Sequence, residues 1–468
     1  MGLRPHARAA AGRAPRRAGR PASAPGLASR RAAAATVRQL LDPSARGVTL
    51  EQAFDAAAAG LDSRDRAFAR AIVTTTLRRL GSVRRVLGAL MDRGFPRKCG
   101  SLEAVMVTAA AQILFMEAPD HAAVDSAVTL ARLDRNAAPF AGLANAVLRK
   151  VAARREEAAS YDPLEVDTPD WLAARWRAAW GEDTARAIAG ALRLEPSLDV
   201  TVRGDAGEWA ARLDGVTLDL APAGAVTRTV RLRTLRNVDE LPGYAEGMWW
   251  VQDAAAALPA LLLGVRPGER VADLCAAPGG KTAQLLTAGG EVQAFDRSAG
   301  RMQRLAENMR RLGFSPAMHV LDLTEAETAA IPGAPFDAVL LDAPCTATGT
   351  IRRHPDVAWT KRPADIEPVA ALQARLLDVA VALLKPGGRL VYSTCSLEPE
   401  EGEEQIRGLL ARNPRVQRLP VTADELPGLP QAITALGDIR TLPSMLPHPE
   451  PRLAGLDGFF AARLVLAP

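Results

Sequence analysis

The chain has 468 residues, 48% apolar and 24% charged, so at roughly 150 residues per domain it holds about three domains, and a peptide or single small module is excluded. Four scattered cysteines with no CxxC pair exclude a disulfide framework and half of a zinc site, and imply free thiols in a reducing cytoplasm with no metal. The longest apolar run, 254–265, falls short of the roughly 20 residues that span a bilayer, and the formal charge of +5 is concentrated at the start, where residues 1–35 hold eight arginines and no acid. A nucleic-acid surface on the rest must therefore be a local patch.

Residues 1–35 mix Arg, Ala, Pro and Gly without hydrophobic periodicity and read as a disordered tail. From 36 to 155 the pattern is helical: Thr49 and Gln52 are spaced as a capping box, Ser63 reads as an N-cap, and Phe68/Ile72 and Val124/Val128 repeat at helical spacing. Breaks at Gly60, Gly81, Gly94–Pro96 and Pro119 divide it into the helices of a compact bundle. Arg78, Arg79, Arg84 and Arg85 form either a solvated charge cluster or an RNA-contacting patch. Residues 156–245 pair tryptophan-bearing helices (171–192) with short alternating runs around Val200 and Val216, the pattern of a small α+β module. From 246 to 468 strands alternate with helices, with strand candidates at 270–274, 292–295, 318–321, 337–341 and 389–394; this predicts a doubly wound, Rossmann-like α/β sheet with its ligands at the strands' carboxyl ends.

The chemistry gathers at those ends. RVADLCAAPGGKTAQ, 270–284, reads as strand, small-residue loop and helix start; it has neither Walker A nor GxGxxG spacing. The next strand ends in Asp296, placed to accept hydrogen bonds from ribose hydroxyls, and together they imply an adenosine-containing cofactor. Asp322 follows the third strand and suits an adenine amino group; Asp342 closes the fourth, followed by Pro344 and Cys345, and the strand GRLVYSTCS delivers Cys395 to the same rim. A thiolate there is a nucleophile, whereas Cys275 reads as a packing or backbone-contact residue and Cys99 as incidental. An adenosine cofactor, a cysteine nucleophile and an acid fit S-adenosylmethionine-dependent cytosine 5-methylation: thiolate addition to carbon 6 makes carbon 5 nucleophilic, and protonation at N3 stabilises the adduct. The residues alone leave Cys345 and Cys395 interchangeable as nucleophile. A nicotinamide-dependent dehydrogenase shares the first strand, loop and carboxylate, and a non-catalytic RNA-binding assembly factor is the other alternative.

At DLCAAPGGKT (273–282), DAPCTATGTIRRHPD (342–356) and YSTCS (392–396) with its acidic run, the chain resembles the bacterial small-subunit ribosomal RNA cytosine-5 methyltransferases of the RsmB (Sun/Fmu) type, within the NOL1/NOP2/Sun superfamily. Thr346 stands for the family's Ser and keeps the hydroxyl. The resemblance implies Cys275, Ala276, Ala277, Pro278, Gly279, Gly280 and Lys281 as the cofactor loop, with Asp296, Asp322 and Asp342 as its carboxylates. It also implies that Cys395 attacks carbon 6, that Cys345 assists breakdown of the adduct, and that Asp342 hydrogen-bonds the base. AAAQILFMEAPDHAAVDSAV and FAGLANAVLRKV look like a NusB-like RNA-binding domain, and the middle module like the family's linker and RRM-like portion. LDGFFAARL is similar to the antiparallel strand that closes the sheet, with Leu456 for the usual Gly. The implied partner is small-subunit ribosomal RNA, naked or early in assembly. Arg352 and Arg353 read as RNA-phosphate or cofactor-loop contacts, His354 as a structural group or substrate contact, and 398–404 as a solvated helix start.

Overall fold

The computed structural model describes residues 25–45, 47–221, 224–234 and 237–468. Most of the expected tail lies outside the described residues, but its last third is ordered. Helix α1 (Leu27–Leu40) buries Ala32, Ala33, Ala34 and Val37 in the core of the helical domain. Alanine is the best helix former, and its small side chain lets α1 lie close against its neighbours. Arg30 is accommodated by a 2.8 Å bond from Nε to Gln112 and by the Phe68 ring, 5.1 Å away.

Helices α2 (Leu50–Ala57), α3 (Ser63–Arg78), α4 (Leu80–Ala89), α5 (Leu102–Phe115), α6 (Asp120–Leu133) and α7 (Ala141–Val151) complete the bundle. The Thr49–Gln52 capping box is present, whereas α3 is capped by Asp62 and Ser63 is its first helical residue. Helix α5 is buried on nearly every face and forms the centre of the bundle. Short α8 (Arg155–Ser160) and α9 (Pro163–Val166) lead into α10 (Asp170–Leu192), which bends at Gly181, φ 80°.

The middle module is an antiparallel sheet of β1 (Asp199–Arg203), β2 (Gly215–Leu218), β3 (Thr227–Leu232) and β4 (Trp249–Val251), in the order β2-β3-β1-β4, covered by α11 (Ala206–Arg212). Arg231 is fully buried and forks onto Asp199, with both bonds at 2.7 Å. Its remaining nitrogen donates to the carbonyls of Leu453 and Gly455, which fastens the module to the far end of the chain.

The C-terminal domain opens with α12 (Ala254–Leu263) and runs through β5 (Arg270–Leu274), α13 (Gly280–Thr287), β6 (Glu291–Asp296), α14 (Ala299–Leu312), β7 (Ala317–Val320) and β8 (Phe336–Asp342). It continues with α15 (Val357–Thr360), α16 (Ile366–Ala382), β9 (Leu384–Thr394), α17 (Glu403–Arg412), β10 (Val416–Arg418), β11 (Ile439–Thr441) and β12 (Phe459–Leu466). The strand order is β10-β12-β9-β8-β5-β6-β7, with β11 on β12. Strands β5 to β9 are parallel, and β12 is antiparallel to β9 as the closing element. The chain runs outward from β5 to β7 and returns to β8, so the ligand crevice of an open α/β sheet falls at the carboxyl ends of β5 and β8. Among the described residues no helix is long and apolar enough to cross a membrane.

The helical domain docks beside this crevice. Trp359 Nε1 donates to the Leu77 carbonyl at 2.8 Å, Arg78 donates to the Arg352 carbonyl at 3.1 Å, and the Leu50 N–H donates to Asp356 at 3.1 Å. Helix α10 packs on the same segment through Trp176, Ile351, Val357 and Ala358. The stretch 350–360 is therefore held from two sides, by the bundle and by α10.

Candidate active site

Strand β5 is buried from Val271 to Leu274, with Asp273 the one charged group among them, and the residue after it, Cys275, turns the chain sharply into the small-residue loop with a φ of 62°. The loop approaches α14 closely: a Cβ on Gly279 would lie 3.0 Å from Met309, and the residue itself sits at φ 105°. Asn308 donates to the Pro278 carbonyl at 2.9 Å, Arg301 to that of Ala277, and the Ala276 N–H to Phe295 at 2.9 Å, so the loop is set before any ligand arrives. Burial pushes the Cys275 thiol up to about 12, assisted by Asp296 and Asp342, which keeps it protonated and unreactive. Asp273, buried beneath the loop, accepts from Thr282 at 2.6 Å, and desolvation pushes its carboxyl up to about 7.

The carboxylates stand in a row along the sheet edge. Asp296 accepts the Ser298 N–H through Oδ1, while its buried Oδ2 accepts no hydrogen bond, the nearest cation being Arg301 at 3.3 Å. A buried carboxylate oxygen without a donor fits a ligand hydroxyl. Asp322 lies two residues beyond β7 rather than at its end, and the Thr324 hydroxyl and N–H hold it below the usual carboxylate range. Asp342, the last residue of β8, accepts from Lys281 at 2.8 Å and from Ser393 at 2.9 Å. The Lys281 ammonium also lies 5.1 Å from the Phe459 ring centre.

Strands β8 and β9 are parallel neighbours with Asp342 opposite Ser393, so the residues just past their ends meet. The sulfurs of Cys345 and Cys395 are 3.3 Å apart. Both residues are half-buried. The bond to Cys395, then burial, push the Cys345 thiol well above its ordinary range. Thus the two cysteines, Asp342 and Lys281 form one cluster, with Asp296 and Asp322 further along the same edge.

Several expectations are corrected. The acidic run is solvated only in part: Glu404 at the start of α17 is exposed, but Glu401 is wholly buried and takes the Thr346 N–H at 2.9 Å, the Ser396 hydroxyl at 2.7 Å and Gln373 at 3.0 Å, which clasps the two cysteine loops together. Glu398 is buried against Arg175 of α10. Arg352 is buried too deeply to meet a phosphate, whereas Arg353 stays partly exposed. Arg352 is buried on Asp253 at 2.7 Å, and Arg353 forks onto Asp457. His354 faces Glu51 of the helical domain at 3.6 Å, and that contact holds the Glu51 carboxyl down at about 2. Of the arginine cluster, Arg78 is spent on a carbonyl, Arg79 and Arg85 lie over Phe115 and Tyr161, and Arg84 pairs with Glu103. Sequence reading missed Glu401, Asp253 and Asp457 because each has a partner far along the chain: Thr346, Arg352 and Arg353 lie 55, 99 and 104 residues away respectively.

A parallel sheet with this loop, a row of carboxylates and a strand-tip cysteine pair, preceded by a helical bundle, defines a methyltransferase. The family model described as 16S rRNA methyltransferase RsmB/F matches residues 260–465, and that of the NusB family matches 27–153. The ribosomal RNA small subunit methyltransferase B of Xanthomonas campestris pv. campestris is 38% identical over 410 residues, covering 86% of this chain and 92% of that protein. The crystal structure of PH0851 superposes with a TM-score of 0.69 at 25% identity, over 95% of this chain and 99% of that one. A methyltransferase homolog protein from Pyrococcus horikoshii gives 0.50 at 28%, over 64% and 95%. The chain belongs to the family of ribosomal RNA small subunit methyltransferase B. Its cofactor is S-adenosylmethionine.

Proposed function

We propose that this chain methylates carbon 5 of a cytidine in 16S ribosomal RNA, naked or early in assembly, through a covalent adduct between Cys395 and carbon 6. Such a substrate places the enzyme in the cytoplasm. The observation that carries this reading is the 3.3 Å approach of the two sulfurs beside Asp342 and Lys281. S-adenosylmethionine, held by the loop 275–281 with Asp296, Asp322 and Asp342, supplies an electrophilic methyl carbon when bound.

The protein's own groups do the rest. The base must leave its stack to reach the rim. Asp342, oriented by Lys281 and Ser393, faces the N3 side of the cytosine, accepting from its exocyclic amino group as a carboxylate and, once protonated, donating its proton to N3, where electron density accumulates as the ring is attacked. The two sulfurs, 3.3 Å apart, can share one proton, and the Cys395 thiolate adds to carbon 6. Once carbon 5 is methylated, loss of its proton restores the ring and expels the Cys395 thiolate. Cys345, at hydrogen-bond distance, assists that breakdown.

Incubation of the full chain with small-subunit RNA and labelled donor tests the assignment. Cys395→Ala is expected to abolish both methyl transfer and adduct, and Cys345→Ala to accumulate a denaturation-resistant protein–RNA adduct. Adduct with Cys395→Ala and none with Cys345→Ala overturns it. Absence of methyl transfer by the unmodified chain favours the non-catalytic assembly factor.

A further inference from the structure

Each cysteine is gripped on both sides, and every grip ends on Glu401 or on Gln373 beside it. Ahead of Cys345, the Pro344 carbonyl accepts from Gln373 Nε2 of α16 at 2.8 Å; behind it, Thr346 donates to the Glu401 carboxylate through its N–H at 2.9 Å and through its hydroxyl. Ahead of Cys395, the Thr394 hydroxyl donates to the Glu401 carbonyl at 3.2 Å; behind it, the Ser396 hydroxyl donates to the Glu401 carboxylate at 2.7 Å. Gln373 joins the two sets by donating to that carboxylate at 3.0 Å. Residue 401 is itself fixed, since the buried Tyr392 of β9 donates from its hydroxyl to the Glu401 carbonyl at 2.8 Å. Hydrogen bonds to an ionised, fully buried acceptor are the strong and directional ones, so this clasp holds its geometry.

The two cysteine segments differ in what else anchors them. The Cys395 carbonyl accepts the Gly349 N–H at 3.0 Å, at a crossing where the Gly458 N–H also donates to the Gly349 carbonyl at 2.8 Å, and the Ser396 carbonyl accepts from Arg440 of β11 at 2.6 Å. Segment 344–346 has no such second hydrogen-bonded anchor among the described residues: beyond Glu401 and Gln373 it meets the Cys395 sulfur and the Ser396 hydroxyl, which belong to the other segment. Release of Glu401 therefore frees Cys345 more than Cys395.

We propose that Glu401, with Gln373, is a positioning residue that sets the separation of the two sulfurs, and through it the step in which Cys345 assists departure of the Cys395 thiolate. The proposal rests on the roles given to the two cysteines above. Attack on carbon 6 uses the Cys395 sulfur alone, whereas assisted breakdown uses both at hydrogen-bond distance, and a displacement of about 1 Å costs on the order of a hundredfold in such a step. Glu401→Ala removes the clasp. Glu401→Gln preserves most of it, because the remaining oxygen keeps the Thr346 N–H and Gln373 while the new amide donates to the Ser396 and Thr346 hydroxyls, which rotate to accept. Gln373→Leu cuts the tie to Pro344 and leaves the carboxylate in place, so it serves where the alanine variant does not fold.

Phenylarsine oxide reads the separation in the full chain without RNA. Its arsenic bonds to both sulfurs while its oxygen leaves as water with the two thiol protons, and peptide mapping by mass spectrometry locates the bridge. The unmodified chain is expected to bridge Cys345 and Cys395, Glu401→Ala and Gln373→Leu to bind at least about tenfold more weakly as the second bond loses its intramolecular advantage, and Glu401→Gln to stay near wild type. With small-subunit RNA and labelled donor, the Ala and Leu variants are expected to accumulate adduct as Cys345→Ala does, with KM for RNA unchanged. Wild-type arsenical affinity in both variants overturns the proposal, as does a Gln variant as weak as Ala. Equal weakening by Asp62→Ala, which removes the cap of α3 far from the pair, reduces the clasp to general stability and overturns it too. Adduct formed by Cys395→Ala refutes the cysteine roles instead, and the arsenical result then judges the spacing by itself.

Discussion

Replacing Gly349 by alanine examines the crossing on which the site depends. A Cβ there would stand 1.9 Å from the Gly458 carbonyl oxygen and 2.8 Å from that of Cys395. Both are backbone atoms of packed segments, so neither can swing aside as a side-chain tip would. Relief to ordinary contact requires the segments to part by roughly 1.5 Å. That lengthens the bonds from Gly349 N–H to Cys395 and from Gly458 N–H to Gly349, worth about 1 kcal/mol each. With about 1–3 kcal/mol for overpacking, the expected destabilisation is about 3–5 kcal/mol. Displacing a reacting group by about 1 Å costs on the order of a hundredfold in rate, so kcat should fall by at least that factor wherever the variant remains folded. Denaturant titration and methyl incorporation from labelled donor measure the two effects. Gly300, in α14, has nothing within 4 Å of its added Cβ, so Gly300→Ala is the control, expected within about 1 kcal/mol of wild type. A Gly349→Ala chain with wild-type denaturation midpoint and kcat refutes the reasoning.

Other outcomes follow from single contacts. Arg231→Ala leaves Asp199 buried without its partner and should cost about 3–5 kcal/mol, read as a lower denaturation midpoint of the full chain. Asp273 has its folded pKa raised from 3.8 to about 7, so the folded state binds the extra proton and this group's contribution to stability falls as pH rises between those values, then levels off; Asp273→Asn should remove that slope from the stability–pH profile. Trp359→Phe loses the 2.8 Å bond to Leu77 and should cost about 1 kcal/mol in the same titration. Glu51→Gln breaks half-exposed contacts with His354 and Arg70, so stability at neutral pH should change by about 1 kcal/mol or less, while the acid loss of stability that Glu51 contributes between its ordinary pKa of 4.5 and about 2 should disappear.

The parallel strands were legible because burial on both faces leaves nearly unbroken apolar runs, as in Ala338 to Leu341, and because each run ends at a polar residue on the ligand side. The glycine loop and the two cysteines were legible for the same local reason. Helix α1 was not, since an alanine-rich stretch studded with arginine buries little surface by itself and is ordered by groups such as Gln112 in α5. Glu401 was misread because an acid in sequence looks solvated, and Arg352 because a cation beside a catalytic loop looks free for phosphate, until the partners that arrive only when the chain has folded back are seen. Arg30 and Arg78 illustrate the converse: basic residues that suggest phosphate are consumed by a side-chain amide and a carbonyl.

The docking of the helical bundle on residues 350–360 has a further consequence. The turn that follows Cys345 is hydrogen-bonded to both halves of the molecule at once: it donates to the Leu77 carbonyl and accepts from Arg78 and Leu50 on one side, and donates to Asp253 and Asp457 on the other. A displacement of the bundle is thereby transmitted to the sulfurs with few soft joints between. Grafting a foreign bundle onto this catalytic half should therefore succeed only when the graft reproduces those handholds, and a catalytic half expressed alone should carry a slack turn even if its sheet is intact.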